Sequence, residues 1–239
     1  MIVQIKKMAK YIPGVARLMF YVDKKYRRFL LNRKRSEDIF NEIYMNNLWG
    51  DNSSVSGPGS NMLETVVIRE ALPAMIKQYK ISSILDIPCG DYYWMKDVDL
   101  TGVEYIGADL IQGIVHKNEA YSDVRRSFVQ LDVIESALPK VDLVFVRDCF
   151  VHLSLSDVSK ALINIVGSNS KYLLTTTFPD KRKNNKILTG EWSPINLEEY
   201  PFNLPKPIFL LNEGHPSKEY SDKSLGLWCV EDIKRALSI

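Results

Sequence analysis

The chain has 239 residues, of which 46% are apolar and 25% charged. That balance fits one large folded domain, or a domain with an appendage, and excludes disordered, collagen-like and disulfide-scaffold classes. Net charge is only +2, yet residues 1–35 carry eleven Lys or Arg against one acid, Asp23, and the remainder is acidic by eight charges. A basic arm therefore precedes an acidic body.

Cys89, Cys149 and Cys229 are far apart, and no CxxC or Cys/His cluster occurs. This argues against a disulfide framework or a metal site and for a reducing compartment. No apolar run reaches the eighteen or so residues that span a bilayer. Basic residues continue through and beyond the apolar stretch 12–22, and no small-residue cleavage site follows, so a signal peptide is not expected. The body reads as cytoplasmic.

In chain order, Val15, Leu18, Met19, Val22, Tyr26, Phe29 and Leu30 follow helical spacing, after the punctuation of Pro13 and Gly14. A shorter helix over residues 2–12 precedes them. Ser36 reads as the N-cap of a helix from Glu37 to Met45. A Gly- and Ser-rich loop follows from Trp49 to Ser60; its indole is out of place in a flexible linker. Asn61 and Glu64 resemble a capping box for a helix to about Tyr79, kinked or split at Pro73. From Ile81 the period changes. Strands are predicted over 83–87, 104–110, 127–131, 141–147 and 172–178, with helices over 111–121 and 155–166 between them. Residues 179–206 are irregular and hold Pro179, Pro194, Pro201 and Pro205. Two further strands, 208–212 and 225–230, and a short helix from Glu231 complete the chain. Strands alternating with helices predict a parallel α/β sheet. The expected division is an arm over 1–35 and a body over 36–239, with a cap and lid over 36–80, a core over 81–178 and an acceptor-side loop with the last strands over 179–239.

In an open α/β sheet, ligands bind beyond the carboxyl ends of the strands. At those ends stand Asp86-Ile87-Pro88-Cys89-Gly90-Asp91, then Asp109, Asp132, and Asp148 with His152 four residues on. One such acid is uninformative, because Asp caps helices and forms turns. Four on one edge place like charges near each other, which is costly unless a ligand or donors offset it. A dinucleotide site wants GxGxxG at the first turn, and only Gly90 remains of it here. Asp86 and Asp91 would repel phosphate. A ligand with an ammonium group, a ribose and an adenine but no phosphate fits better, and S-adenosylmethionine is such a ligand.

These residues resemble the core of the class I S-adenosylmethionine-dependent methyltransferases over 81–177. Residues 84–91 resemble that family's first motif, and 105–110 its second strand, ending in the ribose-binding acid Asp109, followed by Leu110. Asp132 and Val133 resemble the pair that holds the adenine, and 148–152 the motif after the fourth strand. The resemblance implies a Rossmann-like, seven-stranded, mostly parallel sheet with helices on both faces. It implies S-adenosylmethionine as cofactor, held by Asp86, Pro88, Cys89, Gly90, Asp109, Leu110, Asp132, Val133 and Asp148. Pro88 departs from the family's glycine-rich turn and cannot donate a backbone hydrogen bond. Residues 49–60 and 190–197 are similar to small bacterial methyltransferases associated with surface-polysaccharide genes, which implies a sugar hydroxyl or sugar-linked group as acceptor.

A hydroxyl acceptor must lose its proton as the methyl arrives, and Asp148 or His152 is placed to take it. The other reading of His152 is a packed residue at the start of the next helix. Trp49, Ser56 and Gly57 are expected to form a lid. Glu191, Trp192 and Asn196 offer an aromatic platform with polar neighbours, suited to a sugar face. His116 reads as a surface residue, and His215, in a late loop near Glu213, reads as a turn residue with a substrate contact as the other reading. The arm combines charge with an apolar stripe, which fits a helix on an anionic bilayer or one packed on the acidic body. Nucleic acid is disfavoured, because the stripe has no role on a duplex and the fourth-strand motif lacks the aromatic Pro-Pro signature of amino-methylating enzymes. A cofactor-binding protein without turnover is the remaining alternative.

Overall fold

A computed structural model describes residues 28, 29, 31 and 33–239. The predicted arm helices before residue 28 lie outside them. Seven strands form one sheet: β1 Ser83–Asp86, β2 Glu104–Asp109, β3 Arg126–Gln130, β4 Leu143–Val146, β5 Tyr172–Thr177, β6 Phe209–Asn212 and β7 Ser224–Cys229. Their order is β3-β2-β1-β4-β5-β7-β6. Only β7 runs against its neighbours; every other pairing is parallel. The order reverses between β1 and β4, so the loops leaving them diverge and open a crevice at their carboxyl ends.

The helices among the described residues are α1 Ser36–Met45, α2 Val66–Gln78, α3 Gln112–Asn118, α4 Leu155–Gly167 and α5 Val230–Leu237. The central strands are apolar on both faces, and alternate residues serve opposite layers. Leu85, Val144, Val146, Leu173 and Trp228 pack with Val158, Ala161, Leu162 and Ile165 of α4 and with Ile233 of α5. Ile84, Leu143, Phe145, Leu174 and Leu227 pack with Ile68, Leu72, Met75 and Ile76 of α2 and with Trp94 and Met95. Each such fully buried aliphatic side chain contributes about 1.5–3 kcal/mol.

Three local expectations need correction. Ser36 is the first residue of α1 rather than its cap; Arg35 holds the cap position, with no side-chain cap bond. Asn61 Oδ1 does accept from the amides of Leu63 and Glu64, but this closes a turn ahead of α2, whose cap position is Thr65. That helix runs unbroken through Pro73, because Leu72, Met75 and Ile76 bury its face on the sheet on both sides of the proline. It is consequently a layer of the body, and only the stretch from α1 to Ser60 lies against the cavity described below. By contrast, α4 begins as its sequence requires: Ser154 is extended and its Oγ accepts from the amide of Asp157.

Asp142 ties the amino end of β1 to the entry of β4. Its Oδ2 accepts from the amide and hydroxyl of Ser82 at 2.8 and 2.6 Å, and Lys171 pairs with Oδ1. Burial pushes this carboxyl up, but the bonds from Lys171 and Ser82 outweigh burial and hold it at about 2. The folded value lies below the unfolded one, so the stabilisation is complete above about pH 4 and is lost as pH falls toward 2. Asp142→Asn is expected to cost about 1–2 kcal/mol at pH 7, a figure discounted for the exposure of Lys171. Urea denaturation at pH 7 and pH 3 measures it; the cost should shrink at pH 3, and an equal cost at both would show that the charge of Asp142 is not what matters.

Candidate active site

Asp86 ends β1 and is buried, its Oδ2 accepting from the Tyr105 hydroxyl at 2.6 Å. Burial pushes it up to about 7 against the pull of that bond, and the charge of Asp109 adds to the rise. Asp109 ends β2. Its Oδ1 accepts from the amide of Ile111 at 2.9 Å and its Oδ2 from the amide of Gly90 at 3.2 Å. Burial still pushes it up, to about 6. Asp132, two residues past β3, accepts from the amide of Ile134 and is also raised by burial. Three of the four strand-end acids thus sit where their negative charge is poorly compensated.

The fourth is different. Asp148 follows β4 at φ +51, outside the usual range for a side-chain-bearing residue. Its amide donates to Thr176 Oγ1 at 2.8 Å. Its Oδ2 pairs with Lys223 Nζ at 2.7 Å and Arg147 Nη1 at 3.4 Å. Burial would raise this carboxyl, but Lys223 and Arg147 hold it far below the usual range. Behind the pair, buried Glu213 receives Arg147 at 2.7 Å and Lys223 at 3.3 Å. Arg147, Glu213 and Lys223 had no signal in the sequence beyond ordinary charge.

The segment over the crevice is fastened by Asp91. Its carboxylate accepts from Ser54 Oγ at 3.0 Å and from the amide of Val55 at 2.9 Å, while its own amide donates to Ser56 Oγ at 3.3 Å. The contact is close. A Cβ on Gly90, which has φ +54, would lie 2.0 Å from Ser56 Oγ, and one on Gly59 would lie 2.9 Å from Asp148 Oδ2. Only glycine leaves room for these side chains so close to the backbone.

His152 sits in a single 3-10 turn after Asp148, and Ser154 caps the next helix instead. The imidazole is tilted against Trp49 with centroids 5.3 Å apart. Its Nδ1 lies 3.3 Å from the Glu191 carbonyl oxygen. With Nδ1 donating to that carbonyl, Nε2 is left as an acceptor. Burial lowers the His152 pKa below its ordinary value, and the charge of Asp148 opposes this. Near it Phe178, Trp192 and Tyr220 pack edge to face, with Trp192 and Tyr220 centroids 5.1 Å apart and His215 against Tyr220 at 5.6 Å.

All these elements enclose one cavity of about 550 Å³. It brings together Asp86, Pro88, Cys89, Gly90, Asp109, Leu110, Asp132, Val133, Asp148, His152, Trp49, Ser56, Gly57 and Trp192. Two expected acceptor contacts are corrected. Asn196 is buried, and its amide is spent on backbone: Nδ2 donates to the carbonyls of Pro179 and Lys181, and Oδ1 accepts from Glu198. Glu191 turns its carboxylate to the amide of Leu188 and to Arg28, and only its carbonyl serves the site. The sequence reading missed Ser60, Phe178, Tyr220 and Lys223 on the cavity wall. His215, read as a turn residue, does accept from the amide of Ser217 and also faces the cavity. Cys89 and Cys149 line it too, but burial raises both thiols, so neither is a ready thiolate.

No protein-family model matches the chain, and no curated protein matches its sequence. Solved structures share its architecture. The N-methyltransferase NodS from Bradyrhizobium japonicum WM9 matches 72% of this chain and 98% of its own, with TM-score 0.54 and 13% identity. Human N-acetylserotonin methyltransferase, in complex with SAM, matches 69% of this chain but only 52% of its own, at 0.53 and 15%. The methyltransferase domain of a bacterial CtHen1 matches 68% and 97%, at 0.51 and 13%. The chain therefore has the Rossmann-like fold of the class I S-adenosylmethionine-dependent methyltransferases.

Each Asp109 oxygen accepts from one backbone amide and keeps a lone pair to spare, so the carboxylate can receive two neighbouring hydroxyls. Hydrogen bonds to a charged group are worth about 1.5–3 kcal/mol each. Asp109→Ala is expected to weaken S-adenosylhomocysteine binding at least about tenfold, measured by calorimetry, with a smaller loss for Asp132→Ala. Unchanged affinity in folded Asp109→Ala would place the ribose elsewhere.

Proposed function

We propose that this chain binds S-adenosylmethionine and transfers its methyl group to a hydroxyl of a small-molecule or glycan acceptor. The observation that carries the reading is the division of one cavity into two chemistries. One half holds the buried Asp86 and Asp109 and the partly buried Asp132, carboxyls that burial raises and that accept no hydrogen bond from a cationic side chain. A ligand carrying an ammonium, a sulfonium and a ribose supplies that charge and the hydroxyl donors. The other half holds His152, the Asp148–Lys223 pair and the rings of Trp192 and Tyr220. Structures of the same fold include an enzyme in complex with SAM and an N-methyltransferase, which supports the cofactor and leaves the acceptor atom to the chemistry of this second half.

In this reading Asp109 holds the ribose, Asp132, Val133 and Leu110 hold the adenine, and the turn Pro88–Gly90 with Asp86 faces the methionine end. The cofactor, when bound, supplies an activated methyl group on a sulfonium leaving group. The protein aligns the acceptor, excludes water under residues 54–60 and removes a proton. His152 suits the proton transfer better than Asp148. A carboxylate held by two cations has little affinity for a proton, whereas a neutral imidazole with a free Nε2 is a base near neutral pH. Asp148 serves instead as a fixed acceptor that orients the hydroxyl. Trp192 and Tyr220 offer apolar faces suited to a sugar ring.

The test is transfer of label from methyl-labelled S-adenosylmethionine to a panel of nucleotide sugars and small hydroxylated compounds. With a productive acceptor, His152→Ala should lower kcat by about 10²–10⁴, with S-adenosylhomocysteine affinity little changed. The wild-type rate should fall as pH drops through the lowered His152 pKa, because the protonated ring cannot accept. Full activity in His152→Ala would leave proximity alone as the source of rate.

We also propose that the basic arm rests on an anionic bilayer, so that the body meets a lipid-linked acceptor from the cytoplasmic face. Each basic residue near such a surface contributes about 1 kcal/mol. Full-length protein should co-sediment with phosphatidylserine vesicles at low salt and be released at high salt, and the chain without residues 1–35 should stay in the supernatant. If the full-length chain stays in the supernatant at low salt, the arm belongs to the body or to a protein partner.

A further inference from the structure

We propose that Lys223 is a positioning residue of this site: by drawing the Asp148 carboxylate to β7, it keeps that carboxylate off His152 and leaves the imidazole free to take the acceptor's proton. The inference rests on the reading of His152 as the base.

A carboxylate and an imidazole four residues apart in one turn are natural partners. Paired directly, the carboxylate would raise the ring's proton affinity and keep it protonated to higher pH, and a protonated ring accepts no proton. The structure avoids that pairing. Asp148 Oδ2 is taken by Lys223 Nζ at 2.7 Å, with Arg147 Nη1 at 3.4 Å, and Oδ1 meets Thr176 Oγ1 at 3.4 Å. The ring is held by a neutral group instead, the Glu191 carbonyl, and by the Trp49 indole.

Lys223 is itself located by Glu213, whose Oε2 lies 3.3 Å from Nζ. Glu213 keeps a second oxygen, and Arg147 its Nε, without a partner among the described residues. A buried cluster with incomplete hydrogen bonding is costly for stability. That cost is understandable if its arrangement serves the cavity wall that Arg147, Asp148 and Lys223 share with His152.

The charged and titratable groups around the ring are few. Asp148 and Cys149 come from its own turn, Lys223 from the entry to β7, and His215 and Tyr220 from the far wall; Arg147 and Glu213 stand behind Asp148. The Glu191 carboxylate is turned away to Leu188 and Arg28. The charge of Lys223 lowers the His152 pKa and that of Asp148 raises it. Removing Lys223 takes away the first and leaves the Asp148 carboxylate to Arg147 alone, so both changes act upward on the ring.

The experiment is an NMR titration of the histidine rings in full-length protein. The chain has three histidines, so His116→Gln and His215→Gln assign the His152 signal. Lys223→Met should raise the His152 pKa by about one unit, a tenfold change in proton affinity, and Lys223→Arg should stay near wild type. S-adenosylhomocysteine calorimetry reports whether the cavity is intact. If Lys223→Met fails to bind, Asp148→Asn decides: it leaves Lys223 facing the ring, and the His152 pKa should fall. A His152 pKa within about 0.2 of wild type in a binding-competent Lys223→Met, or one that does not fall in Asp148→Asn, overturns the proposal. These readings need no acceptor. They stay separate from label transfer by His152→Ala, which tests the base itself.

Discussion

The pairing of Asp148 with Lys223 joins the end of β4 to the entry of β7, two strands separated in the sheet by β5. Asp148 must leave β4 at positive φ to present its carboxylate there, and its amide is held by Thr176 of β5. The lid depends on the same point, since Gly59 lies against Asp148 Oδ2 with no room for a side chain. His152 follows one turn later, and its carbonyl receives the amide of Gly190. Moving Asp148 would therefore disturb the segment over the cavity, the imidazole and the loop at Gly190 together. A backbone conformation that costs about 1–3 kcal/mol persists where surrounding contacts over-determine it.

The two halves of the cavity treat charge in opposite ways. Around Asp86 and Asp109 the protein supplies only neutral donors, a tyrosine hydroxyl and backbone amides. These satisfy hydrogen bonding and leave the electrostatic cost of burial largely in place, which suits a cationic ligand. Around Asp148 the protein supplies its own cations. A carboxylate already neutralised there by Lys223 and Arg147 has little reason to attract a further cation. The difference between two aspartates at equivalent strand ends thus comes from their partners alone.

The lid shows how a polar loop is made specific. Residues 54–56 have little apolar surface to bury, so their order comes from Asp91, which accepts from Ser54 and Val55, and from Ser56, which receives the Asp91 amide. Asp91 belongs to the first-strand turn. Covering the cavity and shaping the first-strand turn are therefore one set of bonds.

The strands, their order of appearance and the four acids at their ends were legible in the sequence. Burial on both faces writes continuous apolar runs such as Leu143–Val146, and turn chemistry marks where they stop. The turn at Gly90, the acids Asp109 and Asp132, and the neighbourhood of Asp148 and His152 were local in the same sense. What the sequence could not decide was partnership. Lys223 lies 75 residues from Asp148, and nothing around it separates a buried ion-pairing lysine from a solvated one. Asn196 and Glu191 sit in the right loop beside Trp192, yet their side chains face backbone amides and carbonyls that an irregular segment must satisfy. The identity of a strand-end residue is fixed by local pattern, because strand period and turn geometry are short-range. Whether it is paired, neutralised or free is set by residues from distant strands, and only the packed sheet brings those within ångströms of one another.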